Sequence, residues 1–319
     1  MISQLRLSTG SAVMLGLAQA QMEASPTTLY AMVGESCQGA CRFCAQARDS
    51  DADRKFLSRI AWPAFPLAEV TSALSRPHPL RRICLQTLLT PQLLPALLES
   101  VTQLHAVSPL PISVCLNPIP REGLEALKAA GVERVGVGLD CATEALFEEI
   151  KPGFSWERTQ RFLEDVAAVF GRSSIHLIVG LGESDAELLH KVQASHDSGH
   201  AVALFAFTPV RGARLPLSPP PIERYRALQL ARQLLITGQA RVEALRFEEG
   251  RLVGLEVEPA MMEAAFASGR AFRTSGCPDC NRPLYNERPG GVMYNFPRPL
   301  TEAEKRAARE AAAAYLRGA

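Results

Sequence analysis

Short apolar runs rich in β-branched residues alternate with longer stretches of helical spacing along most of this 319-residue chain. The runs at 27–33, 82–86, 112–116, 134–139, 175–179, 202–207, 241–245 and 270–274 read as strands. Between them, 91–105, 122–130, 156–170, 185–198 and 221–235 repeat apolar positions every three or four residues and read as helices. Gly131 and Gly171 are placed to end two of these helices. Eight strand–helix alternations over 27–275 predict an α/β fold, a closed (β/α)8 barrel of the TIM type. The run SAVMLGLAQAQ at 11–21 has only Arg6 as its basic flank. It is too short for a convincing leader, so 1–26 is expected to be an N-terminal helical extension. The stretch 276–319 is a different kind of sequence, rich in Pro, Gly, Asn and Arg as far as Leu300. Thr301 then opens a final helix, with Glu304 at the capping-box position.

Hydrophobic residues make up 47% of the chain, enough for one large core. The net charge of +1 gives no broad field for nucleic acid or an acidic membrane. No stretch reaches the length of a membrane span. Eight cysteines would suit a disulfide framework in a secreted protein. Thiols kept ready for metal instead require a reducing compartment, and a cytoplasmic location is expected.

Three of the cysteines share one loop, Cys37-Gln-Gly-Ala-Cys41-Arg-Phe-Cys44. Three thiolates can hold three irons of a [4Fe–4S] cubane and leave the fourth open to another ligand. The fourth cysteine and proline of a ferredoxin run are missing. A zinc site would want four Cys/His ligands, and no histidine is near. A barrel gathers its chemistry at the C-terminal ends of its strands, where this loop follows the first strand.

Five cysteines remain. Cys84 and Cys115 lie inside adjacent strands, where alternate residues share a face. Cys277 and Cys280 follow the last expected strand. Singly, a cysteine in an apolar strand is a small hydrophobe. Together the four are expected to ligate a second, auxiliary Fe–S cluster, with Cys141 in reserve. Arg282, Tyr285, Asn286 and Arg288 are candidates to orient a substrate, although each also suits a solvated loop.

The loop, with Phe43 before its last cysteine, resembles the signature of the radical S-adenosylmethionine (SAM) enzymes. That resemblance implies a cluster whose open iron chelates SAM and a 5′-deoxyadenosyl radical that removes hydrogen from an unactivated carbon. It also implies SAM-binding roles. Phe43 lies in the loop. Ile178, Gly180 and Glu183 belong to a strand like the family's adenine-side strand, with His176 where the family has glycine. Asp140, Thr143 and Glu144 follow the fourth strand and offer oxygens, the last two being equally plausible as helix caps. Gln86-Thr87 stands where the family often has Gly-Gly-Glu, leaving the amino contact unassigned.

The resemblance narrows to biotin synthase through CRFCAQ at 41–46, Cys84, Cys115, GLD at 138–140, IVGLGE at 178–183 and FTPVRGARL at 207–215. That family's fifth-strand cysteine is absent here, with Ser174 and Ile175 in the region. Its seventh-strand arginine has no counterpart, with Glu243 or Arg246 nearby. The tail CPDCNRPLYNERPGG at 277–291 makes the chain similar to subunits of the two-component, archaeal-type lipoyl synthases. This implies sulfur insertion at C6 or C8 of a protein-bound octanoyl-lysine, with the auxiliary cluster as sulfur donor. The implied partners are a second radical SAM subunit, an octanoylated lipoyl carrier, and a reductant such as ferredoxin or flavodoxin. Biotin-synthase-type insertion into a free small molecule stays open. So does a non-catalytic iron–sulfur or zinc scaffold or electron carrier.

Overall fold

The computed structural model describes residues 3–287 and 290–317. Its centre is one eight-stranded sheet. In chain order the elements begin β1 Gln4–Leu7, α1 Thr9–Met14, β2 Thr28–Val33, β3 Phe56–Leu57, β4 Ile60–Ala61, β5 Ala64–Pro66 and α2 Leu67–Leu74. They continue β6 Arg82–Thr87, α3 Leu93–Val107, β7 Ile112–Leu116, α4 Arg121–Ala129, β8 Val132–Asp140, α5 Glu144–Ile150 and α6 Trp156–Phe170. Next come β9 Ser174–Val179, α7 Asp185–Asp197, β10 Ala201–Ala206 and α8 Ile222–Ile236. The chain ends β11 Leu245–Glu248, β12 Arg251–Leu255, α9 Pro259–Ser268 and α10 Glu302–Arg317.

The sheet order is β10-β9-β8-β7-β6-β2-β1-β5, with β2 and β6 to β10 parallel and β1 and β5 antiparallel. Strand pleating divides each run between two faces. Leu29, Ala31, Val33, Ile83, Leu85, Val114, Ile175, Leu177 and Val179 pack with the helices in the main core. Tyr30, Met32 and Cys84 turn to the other side and pack with Trp62, Leu88 and Tyr285. The six parallel strands and five helices expected from the pattern are present within a few residues. Gly171, in the left-handed conformation at φ 75°, caps α6 as expected. The capping box of α10 is also formed, by Thr301 and Glu304.

Three expectations need correction. The N-terminal segment is more than a helix: β1 joins the sheet beside β2. The seventh and eighth barrel strands do not form. Residues 242–244 make a 3-10 turn leading into an antiparallel hairpin of β11 and β12. Its two-residue connection, Glu249-Gly250, has positive φ at both positions (47° and 80°), the backbone that the hand of the strands favours. Residues 270–272 make another 3-10 turn, directly after the left-handed Gly269 that ends α9. The buried apolar residues of that turn, Ala271 and Phe272, pack in the second core with Leu230 and Leu234 of α8. The sheet is therefore mostly parallel and open, without the closure predicted for a (β/α)8 barrel.

The cysteine-bearing segment 275–287 crosses this opening. Ser275 Oγ accepts from Leu204 N on the free edge of β10 (3.3 Å). The segment then reaches β2, where Thr27 N donates to Asn281 Oδ1 (3.1 Å) and Thr28 Oγ1 to the Asp279 carbonyl (3.2 Å). It returns to β10 through Asn286 Nδ2, which donates to the Ala206 carbonyl (2.8 Å). Tyr225 and Arg232 of α8 donate to the Leu204 and Val202 carbonyls of β10. An edge that would otherwise be a template for another strand is thus covered by side chains.

Candidate functional site

A cavity of about 250 Å³ lies on the non-helical face of the sheet. Its lining includes Cys37, Cys41, Phe43 and Cys44 from the loop after β2, and Gln86, Cys115, Asp140, His176, Ile178 and Phe205 from the strands. Lys151, Phe154, Arg282, Tyr285 and Asn286 complete it. The cysteine loop is anchored from behind by the FTPVRGARL segment. Asp51 N donates to the Gly212 carbonyl (3.0 Å) and Arg214 N to the Arg42 carbonyl (2.8 Å). Gly212 sits at φ 89°, and a Cβ there would fall 2.5 Å from Ala52 N, so only glycine lets the two loops approach.

All eight cysteines are free thiols. Burial raises the pKa of Cys44 to about 11 and pushes Cys41 up further. Lys151 opposes this at Cys41. It is the buried cation of the loop side, with only 3% of its side chain exposed. Its Nζ lies 2.9 Å from Asp140 Oδ2, also donates to the Gly138 carbonyl, and sits over the Phe147 and Phe154 rings. Asp140 adopts φ 67°, rare for a residue with a side chain, at an irregularity where β8 leaves β9. Sequence reading missed Lys151, whose only signal was a lysine at a helix end before Pro-Gly.

The second cysteine set also comes together. The electrostatic neighbours that raise the Cys84 thiol, after burial, are Cys277, Cys280 and Cys115, while Arg282 lowers it. Cys115 is raised to about 11, by burial first, with Arg282 again opposing. In the sheet register Cys84 faces Ser113 and Cys115 faces Gln86, so the two thiols are one pleat apart in depth, not level. Tyr30 Oη lies 3.5 Å from Cys280 Sγ and accepts from Arg282 N (2.9 Å). Arg282 is half-buried, with its Nε enclosed and its guanidinium over Phe205. Burial would lower its pKa, but Cys280 and Cys84 outweigh that and raise it. Each sulfur set therefore has its own cation, the buried Lys151 for one and the half-buried Arg282 for the other.

Two donors in this second set are orphaned. Arg282 Nε and Tyr285 Oη are buried and have no hydrogen-bond partner. Buried polar groups rarely stay unpaired, and two donors among four thiols match a group rich in acceptor sulfur. Among the described residues no three His, Cys, Asp or Glu side chains are gathered to hold a single metal ion. Ligands of an iron–sulfur cluster divide among several irons, and the Cys37, Cys41 and Cys44 loop suits such a cluster.

Other predicted residues have different places. Thr143 caps α5, its Oγ1 accepting from Leu146 N, and Glu144 is an exposed residue in the first turn of that helix. Neither lines the cavity, because β8 ends at Asp140 and the chain turns away. Gly180 (φ 101°) sits where a Cβ would meet Pro220 at 3.1 Å, so it allows close packing with the loop before α8. Glu183 is buried beneath it, accepting from Gly180 N and Leu181 N and pairing with Arg224. Cys141 is buried in the helix-side core and loses its reserve role. Glu243 is exposed in an ion pair with Arg241, and Arg246 lies on the β11–β12 hairpin. Asn286 serves chiefly to tie the crossing segment to β10. Arg288 lies outside the described residues. No helix among the described residues is long and apolar enough to cross a membrane.

Comparison with known proteins agrees with the loop and the sheet. Among solved structures the chain is similar to methylornithine synthase PylB, with a TM-score of 0.55 and 11% identity, covering 66% of this chain and 62% of that one. It is also similar to the FeFe-hydrogenase maturase HydG from Carboxydothermus hydrogenoformans, at TM-score 0.54 and 14% identity, covering 76% and 65%. SuiB from Streptococcus suis bound to S-adenosylmethionine matches at TM-score 0.50 and 15% identity, covering 67% and 48%. At such identities the likeness concerns the fold, and the chain spans about half to two thirds of the length of these proteins. No curated protein matches. The model of the radical SAM superfamily matches residues 32–193, just over half of the chain. With the open three-cysteine loop at the mouth of a mostly parallel sheet, this match establishes that the chain belongs to the radical SAM superfamily, an enzyme family whose members use an iron–sulfur cluster and SAM.

Proposed function

We propose that this protein is a sulfur-inserting radical SAM enzyme, a subunit of a two-component lipoyl synthase acting on C6 or C8 of an octanoyl chain carried on a lysine. The observation that carries the sulfur role is the second thiol set, Cys84, Cys115, Cys277 and Cys280, with the unpartnered donors Arg282 Nε and Tyr285 Oη among it. The octanoyl substrate rests on the motif resemblance, above all the tail at 277–291.

Cys37, Cys41 and Cys44 would hold the catalytic cluster, which with SAM supplies a carbon radical that takes a hydrogen atom. Cys84, Cys115, Cys277 and Cys280 would hold the sulfur donor on the same cavity wall. The raised thiol pKa values mean that loading releases protons, and Lys151 and Arg282 stabilise the thiolates left behind. Phe43, Gln86, Asp140 and Ile178 line the space next to the loop, where the nucleotide would lie. Trp62, Tyr30 and Tyr285, all buried, exclude water from the sulfur side. The expected partners are a second radical SAM subunit, an octanoylated carrier and a flavodoxin or ferredoxin, in the cytoplasm.

The test is the iron and sulfide content of the anaerobically reconstituted chain against a C277S/C280S variant. Loss of a cluster's share, about four irons for a cubane and fewer for a smaller cluster, with SAM cleavage to 5′-deoxyadenosine retained, supports the reading. Unchanged content overturns it. Octanoylated carrier assayed against dethiobiotin then separates the lipoyl reading from a biotin-synthase type.

A further inference from the structure

A second cavity, of about 380 Å³, is enclosed by the N-terminal segment 20–26, the β3–β4 hairpin and the crossing segment at 283–287. Small-molecule sites run from about 300 to 1,000 Å³ and are mostly apolar, with few polar groups. Met22, Ala24, Pro26, Ile60, Pro283 and Leu284 give this one an apolar wall. Its charged lining residues are Arg59 and Glu287, one of each sign, so no net charge selects an ionic ligand. The three sides are tied to one another. Thr9 Oγ1 donates to the Ala61 carbonyl (3.0 Å), Ser58 Oγ to the Tyr285 carbonyl (2.6 Å) and Asn281 Nδ2 to the Ser25 carbonyl (2.9 Å).

This cavity and the one that carries the cysteine loop meet at a single ring. Tyr285 lines both. Tyr30, its ring centroid 5.9 Å from that of Tyr285, also lines the apolar cavity and holds its hydroxyl 3.5 Å from Cys280 Sγ. Next to this partition the backbone is unusual. Arg282 and Leu284, on either side of Pro283, take φ 34° and 62°, rare for residues with bulky side chains. Strain of this kind collects at ligand clamps. Here it divides the two side chains, Arg282 lining the cysteine cavity and Leu284 the apolar one. We infer that the apolar cavity is the channel for a saturated, unbranched acyl chain. The chain enters between 20–26 and 283–285 with its lysyl amide left outside, and its far carbons reach the cysteine cavity once the Tyr285 ring turns aside. This rests on the acyl-lysine reading above. A methylene chain needs no polar partner along such a wall, whereas a ureido ring would leave its donors and acceptor unpaired.

The experiment titrates short peptides bearing Nε-acyl-lysine, with acyl chains of four, six and eight carbons, into the anaerobically reconstituted full chain with SAM and no reductant. Wild type and A24W are compared by calorimetry. Each buried methylene should tighten binding about fourfold in the wild type. In A24W the indole fills the channel, so octanoyl affinity should fall by about fifteenfold or more, the worth of two methylenes, with SAM affinity unchanged. An octanoyl-lysine peptide carrying a diazirine at mid-chain locates the ligand in the wild type, and labelling within 20–26 or 283–285 is expected. Labelling confined to Ile178 or Phe205 overturns this inference alone, as does octanoyl binding that A24W leaves unchanged. If no acyl-lysine peptide binds at any chain length, the acyl-lysine reading itself fails. Circular dichroism matching the parent shows that lost binding in A24W is not loss of fold, and the labelling of the wild type decides the matter without the variant.

Discussion

Replacing Lys151 by methionine keeps most of the length of the side chain beside Phe147 and Phe154 but removes the charge. Asp140 then stays buried without its partner, at 14% exposure and beside a thiol set whose ionised form also repels it. With both partners this buried, the surface-pair discount does not apply, and breaking such a pair costs about 3–5 kcal/mol. D140N leaves the opposite charge unpaired and should cost a similar amount, since asparagine tolerates the left-handed backbone of that position. The double variant D140N/K151M removes both charges and should recover most of the loss, because a buried pair replaced by neutral groups is close to neutral overall. Urea unfolding of the metal-free full chain, wild type and three variants, measures the coupling directly. A K151M loss below about 1 kcal/mol, or a double variant as costly as the two singles summed, would refute the reasoning. The pH dependence has a defined sign. Burial lowers the Lys151 pKa, but Asp140 and Cys41 more than offset this and raise it above its ordinary 10.5. Its contribution is thus complete below that pH and lost as pH rises through the folded value, and K151M should lack this alkaline loss.

Two further outcomes follow from the same contacts. G212A forces a methyl into the backbone of Ala52 and should cost about 1–3 kcal/mol and lower iron loading of the loop. G238A, also at positive φ but with nothing within 4 Å, isolates backbone strain, so equal effects would disprove the clash. Glu304 is held down to about 2, first by Arg298 and, against burial, by Thr301. The start of α10 should therefore be protected from hydrogen exchange above pH 4.5, its ordinary value, and lose protection as pH falls toward 2. In E304Q the protection of this turn, taken relative to the intrinsic exchange rate at each pH, should not respond to pH over that range.

What could be read from the sequence follows from how local each signal is. The cysteine loop and the six parallel strands are written in contiguous spacing and pleat alternation, as in Ile112–Leu116, whose ends match the expected run. Strands seven and eight were misassigned because 241–245 and 270–274 carry apolar residues without the geometry of a strand. The Glu249-Gly250 pair marked a hairpin instead. Lys151 could not be found, since its pairing with Asp140 depends on where α5 ends in space. Arg282 was named as a substrate residue, but its place beside the Cys84 and Cys280 thiols arises only when the tail crosses from β10 to β2. His176 was visible only as a departure from glycine.

That crossing segment has a consequence for the life of the molecule. The polypeptide that brings Cys277 and Cys280 to the sulfur side is also what shields the rim of β10 through Ser275 and Asn286. Loosening of this segment would therefore disperse these thiols and bare the sheet margin in a single event. A chain whose strap has come loose would present a bare margin for self-association or clearance, whereas one with the strap in place stays sealed.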